Sequence, residues 1–233
     1  MSRSCATSCR SWCTATSRTD AVVQVAVLHA DADLLVLDKP AGLLSVPGRG
    51  EDKHDCLSTR VQQQFPDARI VHRLDMATSG LMLMARGAQA QSVLGRAFAD
   101  RQVHKRYQAV VHGVPQAAPG VWNTIDLPIV VDWPNRPRRI IDHQTGKPSL
   151  TRWQVLGPAG GGRTRLALEP VTGRSHQLRV HLRAIGHPIV GDALYGDASA
   201  PADADRLMLH ATQIGFPHPG SGQALQFASP APF

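Results

Sequence analysis

Apolar residues in this chain come mostly in short runs with the two-residue period of half-buried strands. Val22–His29 (VVQVAVLH) and Leu34–Asp38 (LLVLD) read as a first pair, ended by Lys39-Pro40-Ala41-Gly42, since Pro and Gly break ladders. Leu81–Ala85 (LMLMA) is short, continuous and begins at the small polar turn Thr78-Ser79-Gly80, so it reads as a buried strand. Lys105–His112 (KRYQAVVH) alternates, which puts Tyr107 on one inward face with Ala109 and Val111. Beyond the Pro/Ala loop at Val114–Gly120, Ile125–Ile129 reads as a short edge element. Ser149–Leu156 and Thr164–Pro170 read as a hairpin around Gly157–Gly162, and Leu207–Ala211 and Gln223–Ala228 are further strands.

Three stretches switch to a helical period. Asp55–Phe65 places Leu57, Val61 and Phe65 on one face and stops at Pro66; Ala88–Asp100 does the same with Val93/Leu94 and Ala97/Phe98. A third helix is predicted from Ser175, its N-cap, to Ile185, with Leu178, Leu182 and Ile185 inward and Gly186-His187-Pro188 as the stop. Many strands at hairpin spacing, few helices and no βαβ rhythm predict an α+β fold with a largely antiparallel sheet.

A length of 233 residues with 42% hydrophobic content suits one large domain or two lobes sharing a sheet. Met1–Asp20 is rich in Ser, Thr, Cys and Arg without apolar periodicity, so it is expected to be a disordered tail, leaving 21–233 as the folded domain. That tail superficially fits an organellar transit peptide; the plainer reading, a non-functional extension, is preferred. The net charge of +7 suits a polyanionic partner, a nucleic acid or an anionic surface. No apolar run approaches the roughly 18 residues a bilayer span needs. Cys5, Cys9, Cys13 and Cys56 form neither a CxxC pair nor a Cys/His zinc spacing, so free thiols, no metal and a reducing, cytoplasmic setting are expected. The Gly-rich turn lacks a P-loop lysine and a GxGxxG pattern, so no phosphate role is assigned to it. Trp133–Lys147 (WPNRPRRIIDHQTGK) carries Arg136, Arg138, Arg139 and Lys147 against Asp142. Cations interleaved with an aromatic suit RNA, although charge alone would equally describe a solvated loop.

The densest chemistry lies in Val71–Arg86 (VHRLDMATSGLMLMAR), where Asp75 stands beside Arg73 and His72 on a loop fixed by a strand. A triad of Ser79, His72 and Asp75 is one reading; the absence of a GxSxG elbow speaks against it. Lys39 is either a phosphate contact or a solvated turn charge. His72 is either an RNA contact or a packing residue, and His176, His181 and His187 read as packing or capping residues. Arg174, expected just before a helix N-terminus, is a ready anion site.

HRLDMATSG resembles the catalytic signature of the RluA-type pseudouridine synthases. LLVLDKPAGLLSVPG resembles their opening motif, GRSHQLRVHLRAIGHPIVGDALYG a second signature, and LMLHA and FASPAPF later elements. The resemblance covers about Val22 to Phe233. It implies a long mixed sheet split into two lobes with a cleft across the middle, and isomerisation of uridine to pseudouridine in RNA without a cofactor. It makes Asp75 the essential catalytic residue and Tyr107 an active-site residue. Arg174 becomes the active-site cation beside Asp75, and Arg73 takes part in extruding the base. VDWPNRPR and SVPGR are similar to a short branch without the S4 RNA-binding domain, which acts on large-subunit rRNA and tRNA anticodon stem-loops; a monomer is expected. The competing reading is a catalytically inactive RNA-binding or ribosome-assembly protein on the same fold. The presence of Asp75, Tyr107 and Arg174 together argues against it.

Overall fold

Leu81, Met82, Leu83, Met84 and Ala85 are all 1% exposed or less. Such a run needs cover on both faces, and the computed structural model, which describes residues 25–48, 50, 54–196 and 204–233, supplies it. In chain order, β1 (Ala26–Ala30) and β2 (Leu34–Lys39) precede α1 (Leu57–Gln64) and β3 (Ala68–Ile70). The apolar run forms β4 (Ser79–Arg86), followed directly by α2 (Gly87–Ala99) and β5 (His104–His112). Next come β6 (Asn123–Asp126), β7 (Ile129–Val131), β8 (Arg139–Ile141), β9 (Leu150–Pro158) and β10 (Arg163–Pro170). The last elements are α3 (Gln177–Ala184), β11 (Leu209–Pro217) and β12 (Ala224–Ala228).

Among the described residues one sheet runs β1-β2-β4-β11-β5-β10-β9-β6, with β3 added to β4 and β12 to β11. Every pairing in it is antiparallel except that of β4 with β11. The sheet therefore consists of two halves, β1–β4 on one side and β5, β6 and β9–β12 on the other, joined by one parallel seam where Ser79 and Gly80 face His210 and Ala211. Helices α1 and α2 pack their Leu57/Val61 and Ala90/Leu94/Ala97 faces on the first half. This is the expected α+β architecture with a mixed, mainly antiparallel sheet.

Several expected boundaries shift for local reasons. The first strand is seen from Ala26; its predicted start, like the predicted tail, lies outside the described residues. The basic stretch Trp133–Lys147 is not all loop: Arg139–Ile141 pairs antiparallel with Ile129–Val131 as a separate two-stranded hairpin. Three-residue strands are too short for a visible alternation. Helix α3 starts at Gln177 rather than Ser175, and its N-cap position is His176 in a left-handed conformation (φ 60). The buried Gln177 amide draws the preceding loop inward, its oxygen accepting from the Arg174 N–H (3.0 Å) and the Thr172 hydroxyl (2.7 Å).

The seam leaves no room for a side chain. Gly80 has φ +107, and a Cβ there would overlap the backbone of Ala211. Gly80→Ala is therefore expected to lose about 3 kcal/mol or more, from close contact plus an unfavourable backbone conformation. Urea unfolding measures this; wild-type stability in that variant would show that the strands do not approach so closely.

Candidate active site

The two halves of the sheet flank a cleft of about 740 Å³ in which Asp75 and Tyr107 both form part of the wall. The loop carrying Asp75 is tied down on several sides. The Ser45 hydroxyl donates to Leu74 O (2.7 Å) and accepts the Leu74 N–H (3.1 Å). The Gly42 N–H donates to Met76 O (2.9 Å). Lys39 is fully buried and its ammonium donates to the carbonyls of Pro40 (3.0 Å), Leu43 (2.7 Å) and Met76 (3.0 Å). Burial pulls Lys39 down to about 8, so it still carries its charge at neutral pH, and three carbonyls take its three protons. Neither expected role for Lys39 holds: it meets no solvent and faces no phosphate, because its head is spent on bracing the Asp75 loop.

His72 is half-buried at the cleft wall and makes the packing contacts of the structural reading. Its Nε2 accepts the Leu83 N–H at 2.9 Å, and its ring packs 4.7 Å from that of Phe98. Burial, with Lys105 nearby, pulls it down to about 3, so it is neutral and able to accept. Ser79 cannot serve a triad with these two residues. It is buried in the seam, where its hydroxyl meets His210 Nδ1 (2.7 Å) and the Arg206 guanidinium.

The cation beside Asp75 is Arg179, not Arg174. Arg179 Nη1 lies 3.3 Å from Asp75 Oδ2, whereas Arg174 is exposed at the cleft wall and turns its Nε toward Pro148 O (3.4 Å). The late start of α3 explains the exchange: Arg174 falls on the loop, and Arg179 falls in the first turn of a helix buried from Gln177 to Leu182. A sequence signal existed. Arg179 sits three residues before Leu182, on the apolar face, and a buried charge there requires a partner. It has two, since Asp192 holds it in a fork with Nε–Oδ2 at 2.8 Å and Nη2–Oδ1 at 2.7 Å. Asp192 Oδ1 also accepts the N–H groups of Leu194 and Tyr195, both at 3.0 Å. Burial alone would lower Arg179, but the Asp192 fork and the charges of Asp192 and Asp75 outweigh it and hold the guanidinium above its ordinary range.

Asp75 keeps 25% of its side chain exposed toward the cleft, and His176 Nε2 stands 3.9 Å from its other oxygen. Tyr107 is buried on β5, and burial together with the Asp75 charge pushes its phenol well up, so it is protonated. Arg73, Arg101, Lys105, Arg139, Arg174 and Arg179 also line the cleft, making it strongly cationic around the one carboxylate found in its wall among the described residues. Arg136, Arg138 and Lys147 are exposed on or beside the β7–β8 hairpin, outside the cleft itself. Trp133 is 66% exposed and carries the Arg136 guanidinium 3.3 Å over its ring. Among the described residues no cluster of His, Cys, Asp or Glu is arranged to hold a metal ion.

The family model for RNA pseudouridylate synthase matches residues 33–184, which include Asp75, Tyr107 and Arg179. The chain belongs to the RNA pseudouridylate synthase family. A dual-specificity RNA pseudouridine synthase RluA from Escherichia coli O6:H1 is 47% identical over 207 residues, covering 89% of this chain and 93% of that protein. The protein of the same name from Yersinia pestis is also 47% identical, with 99% of it covered. The solved structure of human RNA pseudouridylate synthase domain containing 1 superposes with a TM-score of 0.74 at 32% identity, covering 90% of this chain and 84% of that one. This pseudouridine synthase is thus an isomerase that forms pseudouridine in RNA, and the cleft is where its cations and its carboxylate meet.

The neutral state of His72 in this synthase has a consequence for acid stability. The unfolded chain takes up a proton near pH 6.5 that the folded ring refuses until about pH 3, so this group removes stability as pH falls through that window. His72→Gln retains an acceptor for the Leu83 N–H but does not titrate. Its unfolding free energy should fall less steeply than wild type from pH 6.5 toward 3, and parallel slopes would disprove a neutral His72.

Proposed function

We propose that this synthase isomerises particular uridines in both large-subunit rRNA and tRNA anticodon stem-loops, with Asp75 as the reacting carboxylate. The observation that carries the reading is one quarter-exposed carboxylate, braced by a buried guanidinium, in a cleft whose other charged lining residues, among those described, are Arg and Lys. The dual-specificity names of the relatives support the pair of RNA classes. Residues 21–233 act in this reading as one catalytic domain.

Isomerisation breaks the N-glycosidic bond and rejoins the same ribose to C5 of the same uracil, so no redox step or added group is needed. The Asp75 carboxylate serves by attack on ribose C1′, by addition to uracil C6, or by taking the 2′ proton to form a glycal; all three need it ionised. Arg179 favours that form across an otherwise desolvating wall. A uridine reaches the carboxylate only after leaving its stack, and Arg73, exposed at the wall of the cleft, holds the distorted strand. Tyr107 enters as a neutral phenol: its ring stacks on the uracil, and its oxygen takes the C5 proton while handing its own proton to water in the cleft. The hairpin cations Arg136, Arg138 and Lys147 meet phosphates further along the RNA.

The decisive experiment is carbodiimide mapping of pseudouridines in cells lacking the protein, complemented with wild type or Asp75→Asn. Wild type should restore stops in both rRNA and tRNA, and the Asn variant should restore none while still binding a stem-loop. Stops restored by the Asn variant would refute Asp75 as the reacting group, and stops in one RNA class alone would refute dual specificity. Tyr107→Phe keeps the stacking ring. Its single-turnover rate should fall about 10-fold or more with binding unchanged, and full activity would exclude the proton-transfer role.

A further inference from the structure

His176 is one of two non-glycine residues with positive φ among the described residues, at φ 60. A left-handed histidine costs on the order of 1 kcal/mol, and such strain persists where the surroundings over-determine it. Here they do. The conformation turns Nε2 toward Asp75 Oδ1, at 3.9 Å, and Nδ1 toward the Tyr195 hydroxyl, at 2.7 Å.

The Tyr195 oxygen also accepts the backbone N–H of Arg139 at 2.7 Å. Among its described partners His176 Nδ1 is the one able to accept the hydroxyl proton, and that assignment puts the imidazole hydrogen on Nε2, on the side of Asp75. Burial opposes protonation of His176, with Asp75 and Asp192 pulling the other way and Arg179 and Arg139 adding to the burial.

Arg139 begins β8, and the β7–β8 hairpin rests on the body through a small apolar cluster of its own. Ile129, Val180 and Tyr195 form it, with Ile141 and Leu194 packed alongside, separate from the main core. The Tyr195 ring is 2% exposed and lies 5.0 Å from the Arg179 guanidinium carbon. One hydroxyl thus stands between a cationic hairpin and the carboxylate of the cleft.

We propose that Tyr195 is a positioning residue, its hydroxyl tying the β7–β8 hairpin to His176 and so holding an imidazole N–H donor against Asp75 while RNA is gripped. This rests on Asp75 being the reacting carboxylate. The hairpin link acts on RNA binding and the imidazole link on turnover, so the two separate kinetically. Tyr195→Phe keeps the packed ring and removes both links. His176→Asn keeps a residue that tolerates the left-handed backbone, and its Oδ1 can accept the Tyr195 hydroxyl as Nδ1 does, but it removes the donor facing Asp75.

The test is steady-state kinetics on a stem-loop RNA, with wild type and Asp75→Asn measured alongside and folding checked by thermal melts. Tyr195→Phe should raise KM and lower kcat, each about 10-fold. His176→Asn should lower kcat about 10-fold with KM within twofold of wild type. Wild-type kinetics for Tyr195→Phe, or an equal rise of KM in both variants, overturns the proposal. If Tyr195→Phe does not fold, an unchanged kcat in His176→Asn overturns it alone. Turnover by Asp75→Asn would instead remove the reading underneath, so the two failures are distinct.

Discussion

At Gly80, β4 passes so close to Ala211 of β11 that no side chain fits between them, and this contact makes two half-sheets into one. The loop bearing Asp75 leads into the seam from the first half. Tyr107 comes from β5 and Arg179 from α3, both in the second half. Neither half holds an active site alone. The one parallel strand pairing of this sheet among the described residues, short as it is, sets the distance across which carboxylate, phenol and guanidinium meet.

Charge is then held in place by burial rather than by number of contacts. Arg179 has lost nearly all its water, and a buried cation is tolerable only when paired and hydrogen-bonded. Asp192 takes two of its nitrogens and leaves the third for Asp75, so the guanidinium cannot swing away to pair elsewhere. Lys39 works in the same manner beneath the loop, where its ammonium collects three carbonyls that a flexible segment would otherwise expose to water. Both cations pack against the Asp75 loop, and the exposed Arg73, Arg101 and Arg174 stand at the wall of the cleft.

The uneven legibility of the site follows from this division. Asp75 and Tyr107 were visible because each lies in a segment whose local pattern already fixes its face: a loop closed by a turn and a buried strand, and an alternating strand. Arg174 and Arg179 were exchanged because the start of α3 depends on Gln177, whose amide finds partners in Thr172, Leu150 and Thr151, and no periodicity reports such contacts. Lys39 looked like surface chemistry because Lys usually is, and His72 stood open between an RNA contact and a packing residue. Their burial is created by strands and helices far along the chain, as the Leu83 N–H beneath His72 illustrates. The β7–β8 hairpin was hidden for the simplest reason, its strands being shorter than the window over which alternation can be read.

Local patterning along the chain determined the element types, the mainly antiparallel architecture and the placing of Asp75 on a loop ahead of a buried strand, since period, turn residues and capping act between near neighbours. Tertiary structure alone decided which arginine faces Asp75, which groups Asp192 and Tyr195 meet, and that Lys39 and His72 brace the loop from within. Those outcomes depend on which groups lose water together when the halves close, and desolvation is a property of the assembled fold that no single segment carries.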